Sequence, residues 1–100
     1  MRFLVISKTK HPMPPGTELV DAMLAWVDQH LQSGKMEQAW NFAGIPGGGG
    51  ILNVGSLEEL DTIMIGFPFG PFSEIEIYPL TDLHAALGQV KDKLGQAPSA

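Results

Sequence analysis

Lys35-Met36-Glu37-Gln38-Ala39-Trp40-Asn41-Phe42-Ala43, then Gly44-Ile45-Pro46, the run Gly47-Gly48-Gly49-Gly50 and finally Ile51-Leu52-Asn53-Val54, is the stretch that decides the fold. Alternation over Lys35–Ala43 puts Met36, Trp40 and Phe42 on one side of an extended chain and Glu37, Ala39 and Asn41 on the other, the period of a β-strand. The pattern breaks at Gly44 and resumes over Ile51–Val54. The segment therefore reads as two strands of a hairpin joined by a long, glycine-rich connection.

Working outward, each side of this hairpin carries an amphipathic helix. Upstream, Thr17 is the expected N-cap, with Glu18 and Asp21 in the first turn to complement the helix dipole. Leu19, Val20, Met23, Leu24, Trp26, Val27, His30 and Leu31 follow at spacings of three and four, and Ser33-Gly34 supplies the stop. Downstream, Ser56 and Glu59 form a capping box ahead of the stripe Leu57, Leu60, Ile63 and Met64, with Glu59 expected to reach back to the Ser56 amide.

Beyond the helices lie two more strands. Arg2–Thr9 is a short β-branched and aromatic run, closed by the proline loop His11–Gly16. Ser73–Leu80 alternates Ile75 and Ile77 with Glu74, Glu76 and Tyr78, after the stiff aromatic loop Phe67–Phe72. A last helix over Thr81–Leu94 carries Leu83, Leu87, Val90 and Leu94, and the tail Gly95–Ala100 is expected to be disordered. The order is β-α-β-β-α-β plus a C-terminal helix. It predicts an α+β, ferredoxin-like domain over residues 1–94, with helices on one face of a four-stranded antiparallel sheet. The other face is left bare, and a second copy is its expected cover: a homodimer, or a higher even oligomer, of the dimeric α/β-barrel kind.

Composition narrows the functions. A chain of 100 residues, 44% hydrophobic and 17% charged, is one ordinary globular domain. Its net charge of −5, with Arg2, Lys8, Lys10, Lys35, Lys91 and Lys93 scattered, argues against nucleic acid as a partner. The chain has no cysteine, which excludes disulfides, thiolate catalysis and cysteine-ligated metal sites. Met1–Ile6 is too short to be the apolar core of a signal peptide, and no later segment is long and apolar enough to span a membrane, so the expectation is a cytoplasmic protein without a membrane partner.

Four stretches resemble the muconolactone isomerase family of small α/β-barrel proteins: Leu31–Gly34, Trp40–Gly44, Val54–Leu60 and Phe67–Ile77, within a likeness that covers roughly residues 3 to 84. The resemblance implies the fold, self-association into homo-oligomers, and isomerisation of an unsaturated lactone by proton transfer without metal or organic cofactor. Where that family carries a lysine and glutamates along the first helix, this chain has Val20, Asp21, Met23, Leu24 and Trp26, of which only Asp21 ionises. The resemblance therefore extends to the layout more than to the proton-transfer set.

The residues themselves offer several candidates. Glu74, Glu76 and Tyr78 share one face of the last strand, and Asn41 is expected on the corresponding face of the second, so these groups would meet in the space a dimer encloses. His11, in the proline loop, is placed to act as a base, whereas His30 falls on an apolar stripe and reads as a packing residue. Glu76, Tyr78, Asn41 and His11 are thus the candidate catalytic residues, with Trp40, Glu74, Phe69 and Phe72 lining a pocket for a small hydrophobic ligand. Gly47–Gly50 lacks the Gly-Lys-Ser/Thr ending of a phosphate loop and reads as a flexible hairpin or pocket lid. Two functions stay open. One is a cofactor-independent isomerase acting on an unsaturated lactone or related carbonyl compound; the other is a non-catalytic ligand-binding or assembly domain, whose sign would be a pocket with no titratable group in it.

Overall fold

Every second residue of β1 (Arg2–Thr9) is buried, Phe3, Val5 and Ser7 pointing one way and Leu4, Ile6 and Lys8 the other. In the computed structural model, which describes residues 1–96, this strand runs through the middle of a four-stranded sheet of order β2-β3-β1-β4. All pairings are antiparallel. The other elements are α1 (Glu18–Gln32), β2 (Met36–Asn41), β3 (Gly47–Asn53), α2 (Leu57–Ile65), a short 3₁₀ turn at Gly70–Phe72, β4 (Ser73–Leu80) and α3 (Leu83–Gly95). This is the ferredoxin-like order that the alternating strands and capped helices predict.

Register assigns each side chain to a face. Val5 pairs with Ile77 and Gly50, and Phe3 with Leu52, so Ile75, Ile77, Gly48, Gly50 and Leu52 share the face that the helices cover. There Phe3, Val5, Met36, Leu52, Val54, Leu60 and Ile63 form the core, with Trp26, Val27, Met64 and Ile75 packed against it. Leu4, Ile6 and Ile51 lie on the opposite face with Trp40, Tyr78 and Leu80, and no residue of that set is buried.

The glycine run is the main departure from expectation. Gly47–Gly50 is not a lid but the first half of β3, paired with β1 on one side and β2 on the other. The hairpin connection shrinks to Phe42–Pro46, where the Phe42 amide donates to the Gly47 carbonyl at 2.9 Å. Glycine is needed in the strand because the backbones crowd: a Cβ on Gly49 would lie 2.9 Å from the Val5 carbonyl oxygen, and one on Gly50 2.8 Å from that of Gln38. The second departure is a bulge between Met36 and Gln38, which inserts Glu37 and reverses the alternation. Met36, Ala39 and Asn41 consequently face the helices, and Gln38 and Trp40 face away. The third lies at the end of the chain, where Gly95 completes α3 and Gln96 follows it in a turn; the rest of the expected tail lies outside the described residues.

Local chemistry closes the elements. Ser56 caps α2 by accepting from the Glu59 amide at 3.1 Å. The Glu59 carboxylate does not return to the Ser56 amide; it takes Lys35 at 2.6 Å, tying α2 to the start of β2. Across the bulge Arg2 donates to Glu37 at 2.7 Å. These hydrogen bonds, from Lys35 to Glu59 and from Arg2 to Glu37, hold both carboxyls below their ordinary value. A carboxyl depressed in the fold stabilises it above the unfolded-state pKa and loses that contribution as pH falls through the folded value. Resistance to urea should therefore fall on acidification from about pH 4.5 downward, and the gap between the natural chain and Glu59→Gln should narrow over the same range. A gap that stays constant from neutral pH to below the carboxylate range would show that the Lys35 pair does not act this way.

Candidate functional site

The helix-covered face of the sheet is floored with small side chains. Ser7 and Thr9 from β1, Ala39 from β2 and the bare backbone of Gly48 and Gly50 from β3 stand where larger residues would fill the space beneath α1. Above them α1 turns Met23, Trp26 and Val27 inward, yet none of its residues is fully buried. The gap is a cavity of about 570 Å³, closed at one end by Met36, Leu52, Met64 and Phe67 and bordered by Phe69, Met13 and the exposed Val20 and Leu24. The volume suits one small organic molecule.

Its chemistry is uneven. Trp26 stacks at a tilt on Phe67, with ring centroids 5.1 Å apart, and Phe67 on Phe69 at 6.3 Å, giving the cavity an aromatic wall. Methionine thioethers from Met13, Met23, Met36 and Met64 add a soft, adaptable lining. Among the described residues polar contact is confined to Ser7, Thr9, Asn41 and exposed backbone; the Trp26 Nε1–H is itself buried, without an acceptor. Among the described residues no Asp, Glu, His, Lys, Arg or Tyr side chain lines the cavity. His30 sits behind the wall, its ring 4.8 Å from that of Trp26 and its Nδ1 2.7 Å from the Trp26 carbonyl oxygen, the packing position expected of it.

The residues singled out from sequence divide into separate places. Asn41 and Phe69 line the cavity, and Trp40 borders it at β2 although its register position faces away. Glu74, Glu76 and Tyr78 lie together on the opposite face of the sheet, on β4, the edge farthest from β2. There the Tyr78 hydroxyl donates to Glu76 at 2.8 Å, which raises the phenol's pKa and makes Tyr78 a donor rather than a base. Lys8 stands 4.0 Å from Glu76 and Lys10 3.8 Å from Glu74, so this cluster is a set of exposed ion pairs around the apolar Leu4, Ile6 and Ile51. His11 is exposed, held by its backbone amide to the Phe72 carbonyl at 3.1 Å, and Phe72 does not reach the cavity. The bulge at Glu37 is what separates Asn41 from the acidic cluster, since it puts Asn41 on the helix side. Sequence reasoning missed Ser7, Ala39 and Met23 as parts of one lining. The available signal was the coincidence of small residues in register beneath a helix of large ones.

Residues 1–86 match the family described as muconolactone delta-isomerase. The crystal structure of muconolactone isomerase at 3.3 Å resolution superposes with a TM-score of 0.66 at 24% sequence identity, covering 82% of this chain and 90% of that one, which supports the fold. No curated protein matches in sequence. Among the described residues no helix is long and apolar enough to cross a membrane.

Proposed function

Because this chain belongs to the muconolactone delta-isomerase family, we propose that it takes a flat, hydrophobic, unsaturated carbonyl compound of the lactone or enone class into the cavity between α1 and the sheet. The observation that carries this reading is the lining: mainly apolar and aromatic, with the Ser7 and Thr9 hydroxyls and the Asn41 amide as the polar side-chain groups that could meet a carbonyl. With no titratable side chain in that lining among the described residues, we read the protein as a ligand-binding member of its family, and the proposal calls on no metal or organic cofactor. The apolar centre of the opposite sheet face, rimmed by the Arg2–Glu37 and Lys8–Glu76 pairs, is where we place a second copy in a homodimer. We place the protein in the cytoplasm, and its net charge of −5 argues against nucleic acid and anionic membrane surfaces as partners.

Family membership favours one further reading, proton-transfer isomerisation, with the hydrogen-bonded Tyr78 and Glu76 as its chemical groups and Asn41 and His11 outside their reach. A single experiment separates the two. Lactones and enones are titrated against Trp fluorescence, and the same compounds are incubated with protein in deuterated water. Saturable binding without deuterium uptake is the expected result, with affinity falling at least about tenfold in Ala39→Phe, which fills the floor of the cavity. Catalysed uptake abolished by Glu76→Gln and Tyr78→Phe would establish the isomerase reading instead, and the absence of any binding would end the first.

A further inference from the structure

The cavity floor is built in rows. Phe3, Leu52 and Met36 stand side by side across β1, β3 and β2 at the closed end, and Val5, Gly50 and Ala39 form the next row outward. Ser7, Gly48 and Asn41 form the row after that. The first two rows present only apolar side chains, whereas the third sets a hydroxyl and a carboxamide on either side of a residue with no side chain. α1 runs in the matching sense: Val20 and Leu24 are exposed where they border the cavity, and Trp26 and Val27, further along, pack against the core. The space is apolar at its blind end and polar toward solvent.

Two details suit the third row to a carbonyl group. Ser7 is 8% accessible, which puts a buried hydroxyl on the floor of an apolar space. The Asn41 carboxamide donates one Nδ2 proton to the Phe42 carbonyl at 3.2 Å, which fixes the group and leaves its second proton for another acceptor. β1 and β2 lie two strand spacings apart, about 9.6 Å, so one acyl group fits above Gly48 with a hydrogen bond from each side. The blind end offers the opposite. A carbonyl pushed against Leu52, Met36 and Phe67 would be buried without a donor, because the Trp26 Nε1–H is covered by protein.

We infer that Ser7 and Asn41 are the specificity-determining pair of this cavity: the ligand enters with its apolar end first, extends that end toward Met36 and Met64, and stops with its carbonyl between the Ser7 hydroxyl and the Asn41 amide. The cavity then selects neutral carbonyl compounds with an apolar arm over those whose arm ends in a charge, since a charge at the blind end has no partner. This orientation rests on the binding site proposed above.

The test uses two forms of one ligand, an unsaturated γ-lactone bearing a four-carbon arm that ends in phenyl or in cyclohexyl. Each is titrated into the natural chain carrying carbon-13 in its methionine methyl groups. Relative to the cyclohexyl form, the phenyl ring current should move the Met36 and Met64 resonances at least about twice as far as that of Met13, which borders the mouth. Anchoring is read with the lactone and a cyclopentene analogue bearing the same arm. Ser7→Ala and Asn41→Ala should each weaken the lactone by about threefold to tenfold, the worth of one hydrogen bond, and the cyclopentene by less than about twofold. A larger ring-current shift at Met13, equal weakening of the two compounds, or a greater loss in Thr9→Val than in either variant would each overturn the inference while leaving the cavity as the binding site. Absence of saturable binding by both lactones would overturn the site along with it. The ring-current comparison uses the natural chain, so it decides the orientation even where a variant folds poorly.

Discussion

Alanine at Gly48 should cost this fold about 3 kcal/mol or more, seen as a large drop in the urea midpoint or as loss of folded protein. A Cβ there lands on the Trp40 carbonyl oxygen of the neighbouring strand, and the backbone on both sides is locked in the β2–β3 ladder. The side chain itself would be tolerated by the backbone angles at this position, so the collision is the whole effect. Gly88 is the internal control: it lies in α3, where an added methyl would meet nothing within 4 Å, and alanine there should be neutral or stabilising by up to about 1 kcal/mol. Equal stability of Gly48→Ala and the natural chain would mean that the strands are not as close at Gly48 as described.

Leu52→Ala should be nearly as damaging. Leu52 is 1% accessible and sits between Phe3 and Met36 in the register, at the meeting point of β1, β2 and β3. Truncating a leucine so enclosed costs about 2–5 kcal/mol, and in a domain of this size each kcal/mol lowers the melting temperature by about 4–8 °C. Total stabilities of such domains are about 5–15 kcal/mol, so the loss is a large share of the whole margin. Ile51→Ala, one residue earlier and on the open sheet face, should cost clearly less in the isolated chain. If the two substitutions were equally costly, the open face would have to be covered, as a second copy against it would do.

The contrast between these neighbours shows what was readable beforehand. The β-branched and aromatic run in Arg2–Thr9, the strict alternation in Ser73–Leu80 and the cap at Ser56 each have a local physical cause, and the element order followed from them. The glycines escaped because a residue without a side chain leaves no mark in a hydrophobic pattern, so a strand held by backbone pairing alone reads as a turn. The single inserted residue at Glu37 had a larger consequence, since one bulge reassigns every later side chain of β2 and moves Asn41 away from Glu76 and Tyr78. The cavity was hidden for a third reason: it arises from what is missing between Trp26 and Gly50, a property of register across strands that no single segment displays.

That cavity is the centre of the account, and methionine reports on it directly. Of the five methionines, Met13, Met23, Met36 and Met64 line the cavity and Met1 does not. In a chain carrying carbon-13 in its methionine methyl groups, an unsaturated lactone or enone added to saturation should shift the resonances of Met23, Met36 and Met64 together, with one affinity, and leave Met1 in place. Shifts at Met1 alone, or changes confined to Tyr78 and its neighbours on the open sheet face while the cavity methyls stay still, would place the ligand elsewhere and contradict the account.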